Sequence, residues 1–523
     1  MDDVWSGSGP LDGNRVGEDD GHSLVSRRRV LVAGGALTLA GIMAACSSSN
    51  DSRPVARVSS RDPAVAAAEK ARSVAGAPVR SVALTAGATN VDLGGTTVST
   101  WTYGGALPGT EIRVRKGERL QVDVANALSA STSVHWHGLA IRNDMDGVAG
   151  LTQAPIVAGG SQRYEFTVPD AGTYWFHPHV GTQLDRGLYA PLIVEDPNER
   201  VDYDTEWVLV VDDWIDGTGV PPTTPDTVLA GLRTKGMASM GSMTAMPDLS
   251  PKAPLGSDAG DVVYPYFLIN GRVPADSDSL TARPGQRIRL RIINAGGDTA
   301  FRIAVPGAPL TITHTDGFAV EPRTVDAVLL GMGERIDAVI TVPATTTPIL
   351  ALPEGKTGLT QAVIKVAGSA LADVKPAVTV LLGQSPFNTA NASATREVRL
   401  RDKTPDVSHD LILGGPDAQY NWTINGQTYD PARGLPVQQG QRARLRFVNQ
   451  TGMFHPMHLH GHTFQIRPAG AAVGPRKDTV LVVPGQTVEV DFDADNPGQW
   501  LTHCHNIYHG EAGMMTVVSY VAS

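Results

Sequence analysis

Pro284-Gly285-Gln286-Arg287-Ile288-Arg289-Leu290-Arg291-Ile292-Ile293-Asn294 is a turn followed by alternating charged and apolar residues, closed by an asparagine. Alternation with a period of two describes a strand with one buried face. The pattern occurs twice more, as Lys116-Gly117-Glu118-Arg119-Leu120-Gln121-Val122-Asp123-Val124-Ala125-Asn126 and as Gln439-Gly440-Gln441-Arg442-Ala443-Arg444-Leu445-Arg446-Phe447-Val448-Asn449. In every copy the Asn follows the Gly by nine residues, and the copies stand 168 and 155 residues apart. The chain therefore reads as three β domains of similar build, placed at 81–200, 201–370 and 371–523.

A second repeat links only the outer two. Gly172-Thr173-Tyr174-Trp175-Phe176-His177-Pro178-His179 parallels Gly498-Gln499-Trp500-Leu501-Thr502-His503-Cys504-His505. A His-x-His-Gly precedes each, 42 residues earlier at His135 and 45 residues earlier at His458. The middle copy carries Gly333-Glu334-Arg335-Ile336-Asp337-Ala338-Val339 and no His-x-His, so it reads as a structural domain without metal. The outer clusters complete one another, which puts a shared metal site at the interface of domains 1 and 3.

Composition agrees with a β protein. A chain of 523 residues is too long for one hydrophobic core. It is 41% hydrophobic and 18% charged, and its 56 Gly and 36 Pro suit a turn-rich fold. The net charge is −10, with no basic stripe, which argues against nucleic acid as a partner.

Metal chemistry is concentrated near the C-terminus, in His503-Cys504-His505-Asn506-Ile507-Tyr508-His509-Gly510-Glu511-Ala512-Gly513-Met514. A copper electron-transfer site takes two His, one Cys and a weak axial Met. Cys504, His509 and Met514 supply three of these. Side chains alternate along a strand, so Cys504 points one way and His503 and His505 the other. One segment can thus serve two metal sites. Ten of the 14 histidines fall in four clusters: His135/His137, His177/His179, His455/His458/His460 and His503/His505/His509. A lone His-x-His on a strand is an ordinary surface pair; four clusters, one holding a cysteine, are not.

These motifs, spanning residues 80–520, resemble those of the multicopper oxidases, the family of laccases and bacterial cuprous oxidases. The resemblance implies three cupredoxin-like Greek-key β-sandwiches and four copper ions. A type 1 copper would take His455, Cys504, His509 and, axially, Met514. A type 2 copper would take His135 and His458, and a type 3 pair His137, His177, His179, His460, His503 and His505. A reducing substrate, Cu(I) or a phenol, would give single electrons to the type 1 site, and Cys504, His503 and His505 would carry them to the cluster where dioxygen becomes water. Asp146, nine residues after His137, matches the family's acid near the cluster, a proton relay; it also reads as a turn residue in Asp144-Met145-Asp146-Gly147. The alternative function is copper binding or storage without turnover.

Two segments bear on substrate and location. Met237, Met240, Met243 and Met246 recur every third residue, and thioethers suit Cu(I). The same spacing describes a flexible insertion or the apolar face of a short helix. Met453, two residues before His455, is a further cuprous candidate or ordinary packing. At the other end, Ser26-Arg27-Arg28-Arg29-Val30-Leu31 and the apolar run to Ala45 resemble a twin-arginine export signal. Met43-Ala44-Ala45-Cys46 resembles a lipoprotein processing site, with Met43 in place of the usual leucine; the alternative is cleavage near Ala44 and Ala45 that releases the protein. The reading adopted is a signal over 1–45, a lipid on Cys46 as the only membrane contact, a tether over 46–80 with a short helix from Ala64 to Ala75, and a monomer in the cell envelope, on the outer face of the plasma membrane. Cys504 is then the one remaining thiol, and a metal ligand is its natural use.

Overall fold

The computed structural model describes residues 56–235, 253–468 and 473–522. Strands dominate, in six sheets that stack as three two-sheet sandwiches. The first sandwich pairs two four-stranded sheets, the second two six-stranded sheets, and the third a six- and a five-stranded sheet. Spatial neighbours skip strands in sequence, as Greek-key connections require. No helix among the described residues is long and apolar enough to cross a membrane.

The repeated strand holds the same place in each sandwich. Arg119–Asn126, Arg287–Asn294 and Arg442–Asn449 run parallel to Val79–Asp92, Thr205–Trp214 and Val407–Gly414 respectively. On the other side they pair antiparallel with Ser161–Thr167, Arg335–Thr341 and Thr487–Asp493. The turn glycines Gly117, Gly285 and Gly440 sit at φ of 83°, 79° and 87°, a left-handed conformation that favours glycine. The terminal asparagine does identical work three times. Its amide donates to the carbonyls of Ala130 and Ile156 from Asn126, of Thr299 and Leu330 from Asn294, and of Met453 and Val482 from Asn449. Its oxygen accepts from the N–H of Leu128, Gly296 or Thr451. Three partners for one side chain close the loop after the strand. In the third sandwich that loop delivers His455.

Alternating burial holds for the first copy, where Leu120, Val122 and Val124 are buried between more open neighbours. The second copy departs from the expected half-buried strand. Arg289 and Arg291 are only 0% and 3% exposed. Their guanidinium groups share Asp337, at 2.6 and 3.1 Å, and reach Glu199, Glu206 and Thr173. The polar face of this strand is an ion-paired interface with the first sandwich, so its charges are paired rather than solvated.

Two boundaries also differ from the sequence reading. The described part of the expected tether is docked rather than loose. Helix α1 (Pro63–Arg72) begins at the Asp62 cap, buries Val65 and joins two domains. Glu69 accepts from the Thr167 N–H, and Arg72 donates to Asn496. Further back, Arg57 donates to Ser519 in the last strand. At 370, the chain has not yet left the second sandwich. After α2 (Pro225–Lys235), helix α3 (Lys375–Leu382) packs Leu381 against Leu350 and Leu352, and Phe387–Asn388 adds a parallel strand beside Ala327–Leu330. Residues 1–45, Cys46 and the four spaced methionines lie outside the described residues.

The outer sandwiches meet closely. Asn143 donates to the Gln499 carbonyl at 2.7 Å, and Asn496 donates to the Ile141 carbonyl at 2.7 Å. Gly498, at φ 150°, precedes the strand Gln499–Cys504, and a Cβ there would stand 2.3 Å from Asn143 Cγ. Gly172, also at φ 150°, starts the matching strand of the first sandwich, where a Cβ would stand 2.4 Å from Gly317 Cα in the second. Gly498→Ala should therefore cost about 1–3 kcal/mol by forced separation of the two sandwiches. The check is the denaturant midpoint of the purified protein; an unchanged midpoint contradicts the close approach.

Candidate metal centre

The strand Gln499–Cys504 lies between His455–Leu459 and Met515–Tyr520, fully buried. Its pairing sets Met457 opposite Cys504 and His458 opposite His503. The two successive residues face opposite sides, as alternation requires. Cys504 enters the apolar core of the third sandwich, with Met457 and Met514. His503 and His505 enter a cluster of imidazoles shared with the first sandwich.

On the sulfur side, Cys504 Sγ lies 3.5 Å from His455 Nδ1 and 3.7 Å from His509 Nδ1. Those two nitrogens are 3.1 Å apart. His509 sits on the short helix α4 (Ile507–Glu511), whose cap Asn506 accepts from the Tyr508 and His509 N–H groups. Asn506 also donates to Asp298 at 2.6 Å, and Asp298 is itself paired with Lys356, both from the middle sandwich. Met514 is wholly buried, and its backbone closes the loop by accepting from the Cys504 N–H and donating to the His509 carbonyl. Burial pushes the Cys504 thiol well above its usual range. The metal-free chain keeps that proton, and a metal cation would displace it.

On the imidazole side, three groups form. They are His137, His177 and His505; His179, His460 and His503; and His135, His458 and His460. Each draws on both outer sandwiches, so neither could assemble the site alone. His460 Nε2 and His503 Nε2 approach to 3.1 Å, and His179 Nε2 and His503 Nε2 to 3.4 Å. Burial first, and neighbouring imidazoles next, hold His137, His177, His179 and His460 well below their usual pKa. His503 is pulled down to about 3. All five rings are therefore neutral at physiological pH.

Outer nitrogens fix which lone pairs face inward. His135 Nδ1 donates to the Asp146 carbonyl, His177 Nδ1 to that of Pro178 and His458 Nδ1 to that of Asp478, each at 2.8 Å. His503 Nδ1 donates to the Cys504 carbonyl at 2.9 Å. The Nε2 atoms of His135, His137, His177, His458 and His505 are left buried with no protein partner. Leaving a buried polar atom unpaired costs about 1–3 kcal/mol. Five such atoms converging in one place, with further nitrogens too close together for two protons, fit a set of soft-to-borderline cations.

Asp146 caps the turn Asn143–Met145 and is buried there. Its carboxylate is 3.1 Å from His460 Nδ1 and 3.2 Å from His135 Nδ1, so it touches the site as well as making the turn. Met453 is wholly buried in the apolar core. The spaced methionines are outside the described residues, but both of their described flanks are anchored at the sulfur site. Before them, Arg233 donates to the Glu511 carbonyl at 2.9 Å; after them, Asp261 accepts from His509 Nε2 at 3.0 Å.

Several contributors were not singled out from sequence. Arg335, from the middle sandwich, is 0% exposed and grips Asp478 through two bonds of 2.7 and 2.6 Å. Burial opposes ionisation of Asp478, but the Arg335 guanidinium outweighs it and holds the carboxyl well below its usual range. Asp478 flanks His458 at 3.4 Å and His137 at 3.7 Å. The domain read as purely structural thus positions the site without giving it a histidine. The signal was Arg335 itself, one of two charged residues on the strand Arg335–Thr341. Trp422 stacks on His509 with centroids 4.0 Å apart, and Thr451 bonds His455 Nε2 at 2.7 Å.

Known proteins resemble this chain in sequence and fold. Multicopper oxidase family profiles match residues 85–199, 242–368 and 402–522. The chain is 46% identical to multicopper oxidase MmcO of Mycobacterium tuberculosis over 95% of its length and 97% of that protein. It is 26% identical to a copper resistance protein A homolog of Pseudomonas syringae pv. tomato, covering 83% of this chain and 91% of that one. Its fold matches the crystal structure of a multi-copper oxidase from Pseudomonas thermotolerans with a TM-score of 0.65 at 26% identity, over 85% of this chain and all of the other. With three matched segments, one in each sandwich, and a relative 46% identical over 95% of this chain, the chain belongs to the multicopper oxidase family.

Proposed function

We propose that the protein is an oxidase that couples one-electron oxidation of a reducing substrate to four-electron reduction of dioxygen to water. The observation that carries this is the single strand whose Cys504 enters one site while His503 and His505 enter the other. His455, Cys504, His509 and Met514 would hold a type 1 copper, His135 and His458 a type 2 copper, and His137, His177, His179, His460, His503 and His505 a type 3 pair. Copper there supplies single-electron uptake at the sulfur site and dioxygen reduction at the histidine site. The chain's own residues do the rest. Backbone 503–505 joins the sites by a few covalent bonds, with His503 Nδ1 bonded to the Cys504 carbonyl as a second connection. Burial shields the sulfur site, where His455, Cys504, His509 and Met514 are at most 1% exposed. Asp146, against two of the imidazoles, is the residue we assign to holding and passing protons. Copper storage needs no such connection between sites.

Cys504→Ser should abolish the intense blue thiolate band and all oxidase activity while the fold persists. His135→Ala should keep the band and lose dioxygen reduction. A Cys504→Ser protein that stays blue and active would overturn the assignment.

For the donor we favour Cu(I), with phenols as the second class. Support comes from the flanks of the methionine segment, both anchored beside His509, from the softness of thioethers, and from relatives named for copper resistance. Detoxification of copper is the role this implies. Replacing Met237, Met240, Met243 and Met246 together by Leu removes sulfur and keeps most of the volume. Cuprous oxidation should fall sharply while phenol oxidation holds or rises. Equal loss of both would make the segment structural, and no change in either would make it a passive insertion.

We propose, too, that the protein is exported by the twin-arginine route and held in the cell envelope by a lipid on Cys46, on the sequence features of residues 26–49. Mass spectrometry of the native N-terminus should find a lipidated Cys46. An unmodified terminus elsewhere contradicts it.

A further inference from the structure

Tyr420 has a left-handed backbone, with φ 64°, and is 1% exposed. A bulky residue adopts this conformation only where its surroundings impose it. Here Asp417 imposes it. Its carboxylate accepts from the Gln419 and Asn421 N–H groups, each at 2.9 Å, and from the Asn421 side chain at 2.9 Å. Its backbone carbonyl accepts from the Tyr420 N–H, and the loop is tied to the end of α4 by Trp422 N–H donating to the Ala512 carbonyl. The result sends the Tyr420 hydroxyl to Asp261 Oδ2. That same oxygen accepts from His509 Nε2 at 3.0 Å.

We propose that Tyr420 is a positioning residue for electron entry: by sharing Asp261 Oδ2 with His509 it fixes that carboxylate and limits its pull on the imidazole. The inference rests on the assignment of His509 to the type 1 site. His509 Nδ1 faces Cys504 and His455, so Nε2–H is its free handle. An acceptor on that handle makes the ring a better electron donor to a bound cation. Tyr420 donates to the acceptor and so weakens the effect. Burial first, and the Asp261 charge second, hold the phenol far above its ordinary pKa, so it stays an O–H donor throughout the working range. Trp422, stacked on the His509 ring and 6.0 Å from Tyr420, keeps the imidazole in the plane that Asp261 requires.

The test is the reduction potential of the blue site in the copper-loaded, full-length protein, by titration of the blue band. Tyr420→Phe keeps the ring and removes the hydroxyl. It should leave copper content and the blue band intact and shift the equilibrium toward the oxidised ion by about threefold to tenfold, a fall of up to ~59 mV for one electron. Asp261→Asn should shift it the other way, because the charge is lost. In the Asp261→Asn background, Tyr420→Phe should have no further effect, since Tyr420 acts through Asp261. The inference is overturned if Tyr420→Phe leaves the potential of a blue protein unchanged, or shifts it equally in both backgrounds. A wild type with no blue band overturns the ligand assignment and this inference with it.

Discussion

Buried imidazoles whose inward nitrogens have no partner in the protein are the constraint on which the structure depends. Eight histidines from two sandwiches turn toward a common centre, and several inward nitrogens have no partner in the protein. Left alone, this arrangement is costly, because each unpaired buried atom loses its hydration. The fold bears that cost by fixing the rings of His135, His177, His458 and His503 from outside, through the carbonyls of Asp146, Pro178, Asp478 and Cys504. It recovers the cost when cations fill the centre. The outer sandwiches must therefore be held together firmly, which explains Gly498 against Asn143 and the strap of residues 56–72 that bonds to both.

The middle sandwich makes sense in the same terms. It offers none of the histidines in these groups, yet it brings Arg335 to Asp478 and Asp298 to Asn506. The first contact braces the imidazole site and the second braces the helix bearing His509. One domain that gives these groups no histidine thus braces both sites. Its buried Arg289 and Arg291, held side by side by Asp337, bind it to the first sandwich through Glu199 and Thr173.

Much of this was legible in the sequence where the cause is local. The Gly-strand-Asn unit repeats because a turn, a strand and a loop closure are each set within a dozen residues. The His-x-His pairs and the Cys504 segment could be assigned to two opposite faces from strand alternation alone. What could not be read depends on partners far apart in the chain. Arg335 and Asp478 are 143 residues apart, Tyr420 and Asp261 are 159 apart, and Asn143 and Gln499 are 356 apart. The middle copy of the Gly-strand-Asn unit misled for the same reason. Its alternating arginines predicted a solvated face, and another domain covers that face. The docked strap, too, has the composition of a tether, and it is distinguished by distant contacts, among them those with Thr167, Asn496 and Ser519.

The account's central claim is that one strand serves two copper sites, the larger of them shared between the outer sandwiches. Anomalous scattering at the copper edge from crystals of the copper-loaded protein tests it most directly. The account predicts four peaks: one among His455, Cys504 and His509, and three among His135, His137, His177, His179, His458, His460, His503 and His505. Copper confined to one sandwich, or absent from the ring of histidines between the first and third, would contradict it.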